Sequence, residues 1–141
     1  MTASLQNSLL ALIRSFGLHH PEQTPCGQTV AVAEAHALME LMQVQSLSQS
    51  ALSKRLSLEK STVSRLITGL EKRGWIERDR NPADRRIVEI QLTDTGKQAA
   101  TTLASARQLK FDKVLSAIPE SRRDDVIDAL NVLVEAIRES Q

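Results

Sequence analysis

The chain has 141 residues, enough for one domain with one hydrophobic core, and its 41% hydrophobic and 25% charged residues are ordinary for a globular protein. No apolar run reaches the roughly 18 residues of a membrane span, and residues 1–16 lack the basic and then apolar order of a signal peptide. Together with a single cysteine, Cys26, this predicts a cytoplasmic protein with no membrane partner. The net charge is +1, but residues 48–97 hold eleven Lys and Arg against seven Asp and Glu, a modest indication of a polyanionic partner.

Apolar residues at helical spacing predict two helices in the first third of the chain. The first carries an apolar face from Leu5 to Phe16 and ends near Gly17. A connector rich in turn-forming residues follows over residues 21–29. The second helix is expected over about 31–44.

Residues 47–74 predict two short helices joined by a tight polar turn. Ser48 suits the N-cap of the first helix, which is expected to end at about Leu56. The second helix is expected over about 60–73, where Gly74 ends it. Two short helices in this arrangement are a candidate helix-turn-helix.

Two short alternating runs, WIERD and IVEIQL, follow directly and predict a β-hairpin. In the second run Val88, Ile90 and Leu92 alternate with polar residues, so one face of the hairpin is expected to be buried. The loop between the runs contains RNPADRR, residues 80–86, and is too long for a two-residue turn.

The remaining third of the chain predicts two more helices. Thr93 is expected to cap a long helix that runs to about residue 117, and Pro119 is expected to start the last helix. The apolar stripe of the last helix consists of Val126, Leu130, Leu133 and Ile137.

The second helix of the helix-turn-helix has an outward face without apolar or acidic side chains. At about 100° per residue this face consists of Ser61, Arg65, Thr68 and Lys72, flanked by Thr62, Ser64 and Gly69. Small hydroxyl side chains let a helix enter the major groove of DNA, and an Arg can form two hydrogen bonds with a guanine edge. The alternative is a helix face that only contacts solvent, although such faces usually include Glu.

The tip of the hairpin is rich in arginine and follows the helix-turn-helix, which is typical of a wing. It is long enough to lie along the DNA backbone or to enter the minor groove, where the negative potential attracts Arg. Asp84 is a poor ligand for phosphate, so we expect it to pair with a neighbouring arginine such as Arg86 and to orient it. The alternative is a charged loop that only maintains solubility.

Residues 47–97 resemble the MarR-type winged-helix transcription regulators. The resemblance rests on STVSRL followed by LEKRGWIER, on DRR at residues 84–86, and on LTDTG at residues 92–96. These motifs are specific only together and in this order. The flanking helices match the family in architecture alone.

The resemblance implies a fold that is mainly α with a small β-hairpin wing, in a single MarR-type domain over residues 1–141. Residues 31–97 would form the winged helix-turn-helix lobe, and residues 1–20 and 98–141 the dimerisation helices. The apolar stripes at both ends of the chain independently favour a homodimer, because a small winged-helix core cannot cover them.

The resemblance also implies a DNA-binding transcriptional regulator, expected to act as a repressor on a pseudo-palindromic double-stranded operator. If a small-molecule effector exists, its pocket is expected between the lobe and the dimerisation helices. The positions that match DNA-contacting positions of the family are Ser61, Thr62, Ser64, Arg65, Arg85 and Arg86. Thr68 is added because it lies on the same outward face.

Cys26 leaves two further regulatory functions open. Together with His19, His20 and His36 it could sense zinc, although their spacing matches no standard zinc pattern. It could also sense oxidants, although no Lys or Arg lies within ten residues to lower its pKa. We therefore expect a loop cysteine, no metal site and no cofactor.

Two other classes of protein compete with a DNA-binding regulator. An enzyme is not expected and no catalytic residue is predicted, because no glycine-rich phosphate loop or nucleophile elbow accompanies the Cys and His residues. A winged-helix adaptor that binds protein is the second alternative. Such domains tend to lose the wing arginines, which this sequence keeps.

Overall fold

The computed structural model describes every residue from Met1 to Gln141 and contains six α-helices and one three-stranded antiparallel sheet. In chain order the elements are α1 Thr2–Phe16, α2 Val32–Gln43, β1 Leu47–Ser48, α3 Gln49–Leu56, α4 Lys60–Lys72, β2 Ile76–Arg80, β3 Val88–Leu92, α5 Asp94–Ala117 and α6 Arg123–Glu139. A short 3-10 turn, Glu120–Arg122, precedes α6, so the last helix begins after this turn and not at Pro119 as the sequence indicated. The predicted fold class, mainly α with a small β wing, is confirmed.

The sheet has one strand more than the predicted hairpin. Its order is β1-β3-β2, with Leu47 of β1 opposite Ile90 of β3 and Ile76 of β2 opposite Leu92. The sequence did not reveal β1 because two residues are too few to show the alternation of a strand. This third strand attaches the wing to the start of the helix-turn-helix.

The chain divides into two compact units, Met1–Arg107 and Gln108–Gln141. The first unit has a single hydrophobic core to which α2, α3, α4 and β3 contribute the largest fully buried side chains, Leu38, Leu41, Leu52, Val63, Ile67, Leu70 and Ile90. The second unit buries no side chain, and neither does α1 in the first unit. None of the helices combines the length and the apolar composition that crossing a membrane requires.

Caps define both ends of the first helix of the helix-turn-helix. The Ser48 hydroxyl oxygen accepts a hydrogen bond from the backbone N–H of Ala51 at 3.1 Å, which confirms the predicted N-cap. At the other end Ser57 has a left-handed φ of 54°, and its N–H donates to the carbonyl of Lys54 at 3.2 Å. The chain therefore turns sharply between α3 and α4, as the sequence predicted.

Gly74 ends α4 and redirects the chain into the wing. Its φ is 77°, and its N–H donates to the carbonyl of Glu71 while the N–H of Trp75 donates to the carbonyl of Leu70. These two bonds form a Schellman motif. A glycine suits this position because the left-handed conformation costs most other residues roughly 1–2 kcal/mol.

The base of the wing is closed by a junction between Gly74–Trp75 and Thr93–Gly96. Thr93 donates its backbone N–H to the carbonyl of Trp75 at 3.0 Å and its hydroxyl to the carbonyl of Gly74 at 2.6 Å. The same hydroxyl oxygen accepts the N–H of Gly96 at 3.0 Å, so Thr93 caps α5 as predicted. A Cβ at Gly96 would overlap the carbonyl group of Trp75, so this close backbone approach requires glycine.

We predict that Gly96→Ala lowers the free energy of unfolding by about 1–3 kcal/mol or more, because backbone atoms that cannot move freely occupy the space of the new methyl group. Gly69→Ala is the matched control. A Cβ at Gly69, within α4, would meet only the Glu34 carboxylate, at an ordinary contact distance of 3.6 Å. That control should be neutral or stabilising by up to about 1 kcal/mol. Urea denaturation of both variants measures this, and an unchanged midpoint for Gly96→Ala would contradict the close contact.

Candidate nucleic-acid interface

Helix α4 separates an apolar inner face from a polar outer face. Val63, Ile67 and Leu70 are buried in the core. Among the predicted DNA-contacting residues of this helix, Ser61, Arg65 and Thr68 are exposed, and Thr62 and Ser64 are half-buried. The structure therefore brings all five predicted residues of the helix to one side of the first unit.

The outer face of α4 carries positive charge that no protein carboxylate neutralises. Arg65 and Lys72 are exposed and form no ion pair. Glu71, the nearest acid in sequence to this face, is instead engaged by Arg78, with 3.3 Å between Arg78 Nε and Glu71 Oε2. Two cationic side chains are thus left available to an anionic partner.

Arg78 lies in the first strand of the hairpin, as the run WIERD predicted, but the sequence did not reveal its contact with α4. It lies in β2, opposite Ile90, and its side chain is only 30% exposed. Its Nη2 donates to the hydroxyl oxygen of Thr68 at 3.1 Å, across to the outer face of α4. Arg78 therefore joins the wing to the predicted recognition helix and is not part of the tip. Its position on the same side of β2 as the buried Ile76 is the sequence feature that could have indicated this.

The wing loop is organised by its own hydrogen bonds. The Asn81 carboxamide oxygen accepts the N–H of Ala83 at 2.8 Å, and its amide nitrogen donates to Glu89 at 3.0 Å. Arg80 donates to the backbone carbonyl of Arg85 at 2.7 Å. The Arg85 side chain is exposed and has no partner, so it extends from a loop whose backbone is held in place.

Asp84 pairs with Arg86, as the sequence predicted. Arg86 Nε and Nη2 each donate to a different carboxylate oxygen of Asp84 at 3.1 Å, and the backbone N–H of Arg86 donates to the same carboxylate. The side-chain and then the backbone hydrogen bond of Arg86 lower the pKa of Asp84, and the Asp84 carboxylate raises the pKa of Arg86. The Arg86 side chain is nevertheless 90% exposed, so the pair orients the guanidinium without burying it.

Arg73 ties the end of α4 to two neighbouring groups. Its Nε lies 3.3 Å from the carboxylate of Glu34 in α2, and its guanidinium carbon lies 4.9 Å from the centre of the Trp75 ring. The Trp75 side chain is partly buried and packs against the core. The ion pair and the cation–π contact both hold the C-terminal end of α4 in place.

A cleft of about 370 Å³ lies on the first unit where α2 ends and α5 begins. Its lining combines the apolar side chains of Leu41, Met42, Val44 and Leu92 with polar ones, Gln45, Gln91, Lys97 and Thr101. It is large enough for a small molecule, and Lys97 forms no ion pair.

Cys26 lies in the connector between α1 and α2 and is half-buried. Its sulfur is 2.9 Å from the hydroxyl oxygen of Thr24, which also accepts the N–H of Gln28. His19 stacks on His20, with 4.4 Å between ring centres. No three His, Cys, Asp or Glu side chains lie together in a group that could hold a metal ion.

Comparison with known proteins shows which proteins this chain is similar to. The MarR family model matches residues 31–88. The chain is 27% identical over 101 residues, 72% of its length, to YdgJ of Bacillus subtilis, an uncharacterized HTH-type transcriptional regulator. It is 30% identical over 88 residues, 62% of its length, to the transcriptional repressor MprA of Escherichia coli. The chain spans 62% of the length of YdgJ and 50% of that of MprA.

The fold is also that of a protein solved in complex with DNA. The crystal structure of Streptococcus pneumoniae FabT in complex with DNA superposes with a TM-score of 0.82 and 22% identity, over 99% of both chains. The fold is thus that of winged helix-turn-helix proteins, and the two relatives named above are transcriptional regulators. The similarity to the MarR family covers residues 31–88, from the residue before α2 to the first residue of β3.

We predict that the ion pair between Asp84 and Arg86 depends on pH. Because the folded protein lowers the pKa of Asp84, the pair is complete above the ordinary pKa of an aspartate and is lost as the pH falls through the lowered value. A carboxyl-carbon NMR titration should therefore give Asp84 a midpoint below that of a model aspartate. Arg86→Gln should raise this midpoint, and Arg85→Gln should leave it in place. Equal midpoints in the wild type and Arg86→Gln would show that the pair does not form in solution.

Proposed function

We propose that the protein is a homodimeric repressor that binds a pseudo-palindromic double-stranded operator, with α4 in the major groove and the wing in the neighbouring minor groove, close to its flanking phosphates. One observation carries the proposal. The outer face of α4 and the arginine-bearing wing are held together by the hydrogen bond from Arg78 to Thr68, and neither Arg65 nor Arg85 has a protein partner.

We propose that residues of helix α4 read the base sequence of the DNA. Ser61, Thr62 and Ser64 are small, so the backbone of the first helical turns can approach the floor of the groove closely. Arg65 is exposed and unpaired, and a guanidinium can bond to the O6 and N7 atoms of guanine together. We assign base reading to Arg65, and groove fit and phosphate contacts to the three hydroxyl residues.

We propose that the arginines of the wing make electrostatic contacts with the DNA. Arg85 and Arg86 project from an ordered loop, and a guanidinium there meets phosphates or the narrow minor groove, which offer charge but little sequence code. Asp84 neutralises part of the charge of Arg86 in the free protein. We propose that it fixes the direction of Arg86 toward the DNA, so that less side-chain freedom is lost on binding.

Dimerisation is supported by apolar side chains that each unit leaves exposed. In the first unit Leu5 and Leu12 of α1 are 55% and 46% exposed. In the second unit the exposed apolar side chains include Val114, Leu115, Ile127, Leu130, Val134 and Ile137. Burying such stripes against a second copy gives an isologous dimer, which would present two recognition helices to an operator with two-fold symmetry.

Repression and control by an effector complete the proposal. The repressor assignment is supported by the similarity to MprA, which is a repressor by name. The cleft bounded by Leu41, Leu92 and Lys97 is a candidate effector site, because α5 and strand β3 of the wing both line it. An effector bound there contacts the base of the wing, so it could change the DNA affinity through the wing position. The cytoplasmic location stays a prediction.

We predict that the helix and the wing differ in their sequence dependence. Arg65→Ala should weaken binding mainly to the cognate operator, by about 1–3 kcal/mol per half-site if the contact with guanine is bidentate. Arg86→Ala should weaken binding to cognate and random duplexes alike and lower the salt dependence by about one phosphate contact per wing. Titrations of both duplexes at several salt concentrations measure both effects.

Lys113→Ala is a control for these titrations, since it removes one charge from α5 outside the proposed interface. It should leave both affinities nearly unchanged. If Arg86→Ala preserved the salt slope and the affinity for random DNA, the basic tip would not be a DNA-contacting wing.

We also predict that polar substitution of Leu130 and Leu133 together gives monomers or insoluble protein, because both belong to the apolar stripe of α6. Val132→Asn is the matched control, since Val132 is 71% exposed and lies off that stripe. It should stay dimeric. Sedimentation measures the result, and a well-folded wild-type monomer at micromolar concentration would refute the dimer.

A further inference from the structure

We infer that Arg78 is a positioning residue for sequence recognition: it fixes the hydroxyl of Thr68, so that Thr68 presents its methyl group, and not a hydrogen-bond donor, to the base edges. The inference rests on the proposed function, because it assumes that α4 enters the major groove. It gives a role to Arg78, which is not among the predicted DNA-contacting residues, and it states what kind of contact Thr68 makes with DNA.

The hydrogen bonds of Thr68 limit what it can offer. A hydroxyl has one donor and two acceptor lone pairs. The donor is used within the helix, since Thr68 donates to the carbonyl of Ser64 at 3.0 Å. One lone pair is used by Arg78 Nη2 at 3.1 Å. Because Thr68 remains exposed, its γ-methyl group and one lone pair are left for a partner.

The exposed methyl group defines the class of base that Thr68 can favour. In the major groove, guanine N7 and O6, adenine N7 and thymine O4 require donors, which the engaged hydroxyl cannot supply. The remaining lone pair can accept from cytosine N4 or adenine N6, and adenine N6 belongs to the same T·A pair as the thymine methyl group. The C5-methyl group of thymine is the apolar feature of that groove, and threonine methyl groups are among the side-chain groups that contact it. We therefore assign to Thr68 a preference for a T·A pair at one position of each half-site.

The position of Arg78 explains why its hydrogen bond to Thr68 forms before DNA binds. The register of the sheet places Arg78 opposite the fully buried Ile90, so its backbone cannot shift without disturbing the core. Its Nε lies 3.3 Å from Glu71 Oε2, yet this buried N–H makes no hydrogen bond. The contact with Glu71 is therefore electrostatic, and the directional bond of the guanidinium is the one to Thr68.

Without Arg78 the side chain of Thr68 would be less restricted. Threonine populates two χ1 rotamers in helices, because its hydroxyl can bond to the preceding turn in more than one way. The bond from Arg78 favours the rotamer in which the oxygen faces the wing. Its loss should let the hydroxyl and the methyl group exchange places at the DNA-facing surface, which weakens the discrimination at the base pair concerned.

The test uses the full-length protein and the site that wild-type protein selects from random duplexes. Every single-base-pair variant of that site is titrated with wild type, Arg78→Gln, Thr68→Ser and Thr68→Val. Thr68→Ser removes the methyl group and keeps the hydroxyl, and Thr68→Val does the opposite. The discrimination at a base pair is the ratio of the affinity for the selected site to the affinity for a variant of that base pair. We expect Arg78→Gln and Thr68→Ser to reduce the discrimination at the same base pair of each half-site by about threefold to tenfold. Thr68→Val should retain it.

The double variant separates positioning from a charge effect. In combination with Thr68→Val, Arg78→Gln should no longer change the discrimination at that base pair, because valine has no hydroxyl to orient. Arg80→Gln is the matched control, since it removes the same charge from the same strand but breaks a bond to Arg85 within the wing. It should alter the total affinity and leave the discrimination unchanged.

Arg78→Lys keeps the charge beside Glu71 and should retain more of the discrimination than Arg78→Gln. Thermal denaturation shows whether Arg78→Gln folds, and Arg78→Lys replaces it in the test if it does not. The inference is overturned if Arg78→Gln leaves the discrimination unchanged, if Arg80→Gln reduces it equally, or if the effect of Arg78→Gln persists with Thr68→Val. A wild-type protein that selects no sequence at all would instead refute the proposed function.

Discussion

The close approach of Trp75 and Gly96 is the constraint on which the rest of the interface depends. The backbone of the residue that follows Gly74 lies against the first turn of α5, at a distance that only glycine allows. Two hydrogen bonds from Thr93 to Gly74 and Trp75 fix the same point. The end of α4, the first residue of the wing and the start of α5 are therefore held as one junction, and the two strands of the wing must leave it in a single register.

That register determines which side chains reach the recognition helix. With Ile76 opposite Leu92, Arg78 lies opposite Ile90 and on the core side of β2, from which its guanidinium reaches Thr68 and Glu71. A slip of one residue would turn Arg78 to the other face of the sheet and break this bridge. The wing and α4 are thus parts of one block. This is why we propose that they contact two grooves of DNA together and do not act as independent modules.

Local signals in the sequence were sufficient for much of this structure. The Ser48 cap, the left-handed Gly74, the alternation in β3 and the Thr93 cap each determine the backbone within a few residues, so helix limits and the wing were predicted well. The Asp84–Arg86 pair was predictable for the same reason, because its members are two residues apart. The helical face that carries Ser61, Arg65 and Thr68 followed from the helical period alone.

Contacts between distant elements were not predictable in this way. Strand β1 is too short to have a pattern, and its pairing with β3 joins residues more than forty positions apart, Leu47 and Ile90. The role of Arg78 depends on the sheet register and on the distance to α4, which composition and spacing do not contain. The sequence placed Arg78 in a short strand without its contact with α4, and only the structure showed that Thr68 has already used its donor.

The central claim is that α4 and the wing of each subunit bind the major and the minor groove as one block. Dimethyl sulfate footprinting tests it directly, because the reagent modifies guanine N7 in the major groove and adenine N3 in the minor groove. The account predicts that wild-type protein protects two major-groove segments about 10 base pairs apart, or a multiple of that spacing, each with protected minor-groove positions beside it. Protection confined to one groove, or to a single segment without a symmetric counterpart, would contradict it.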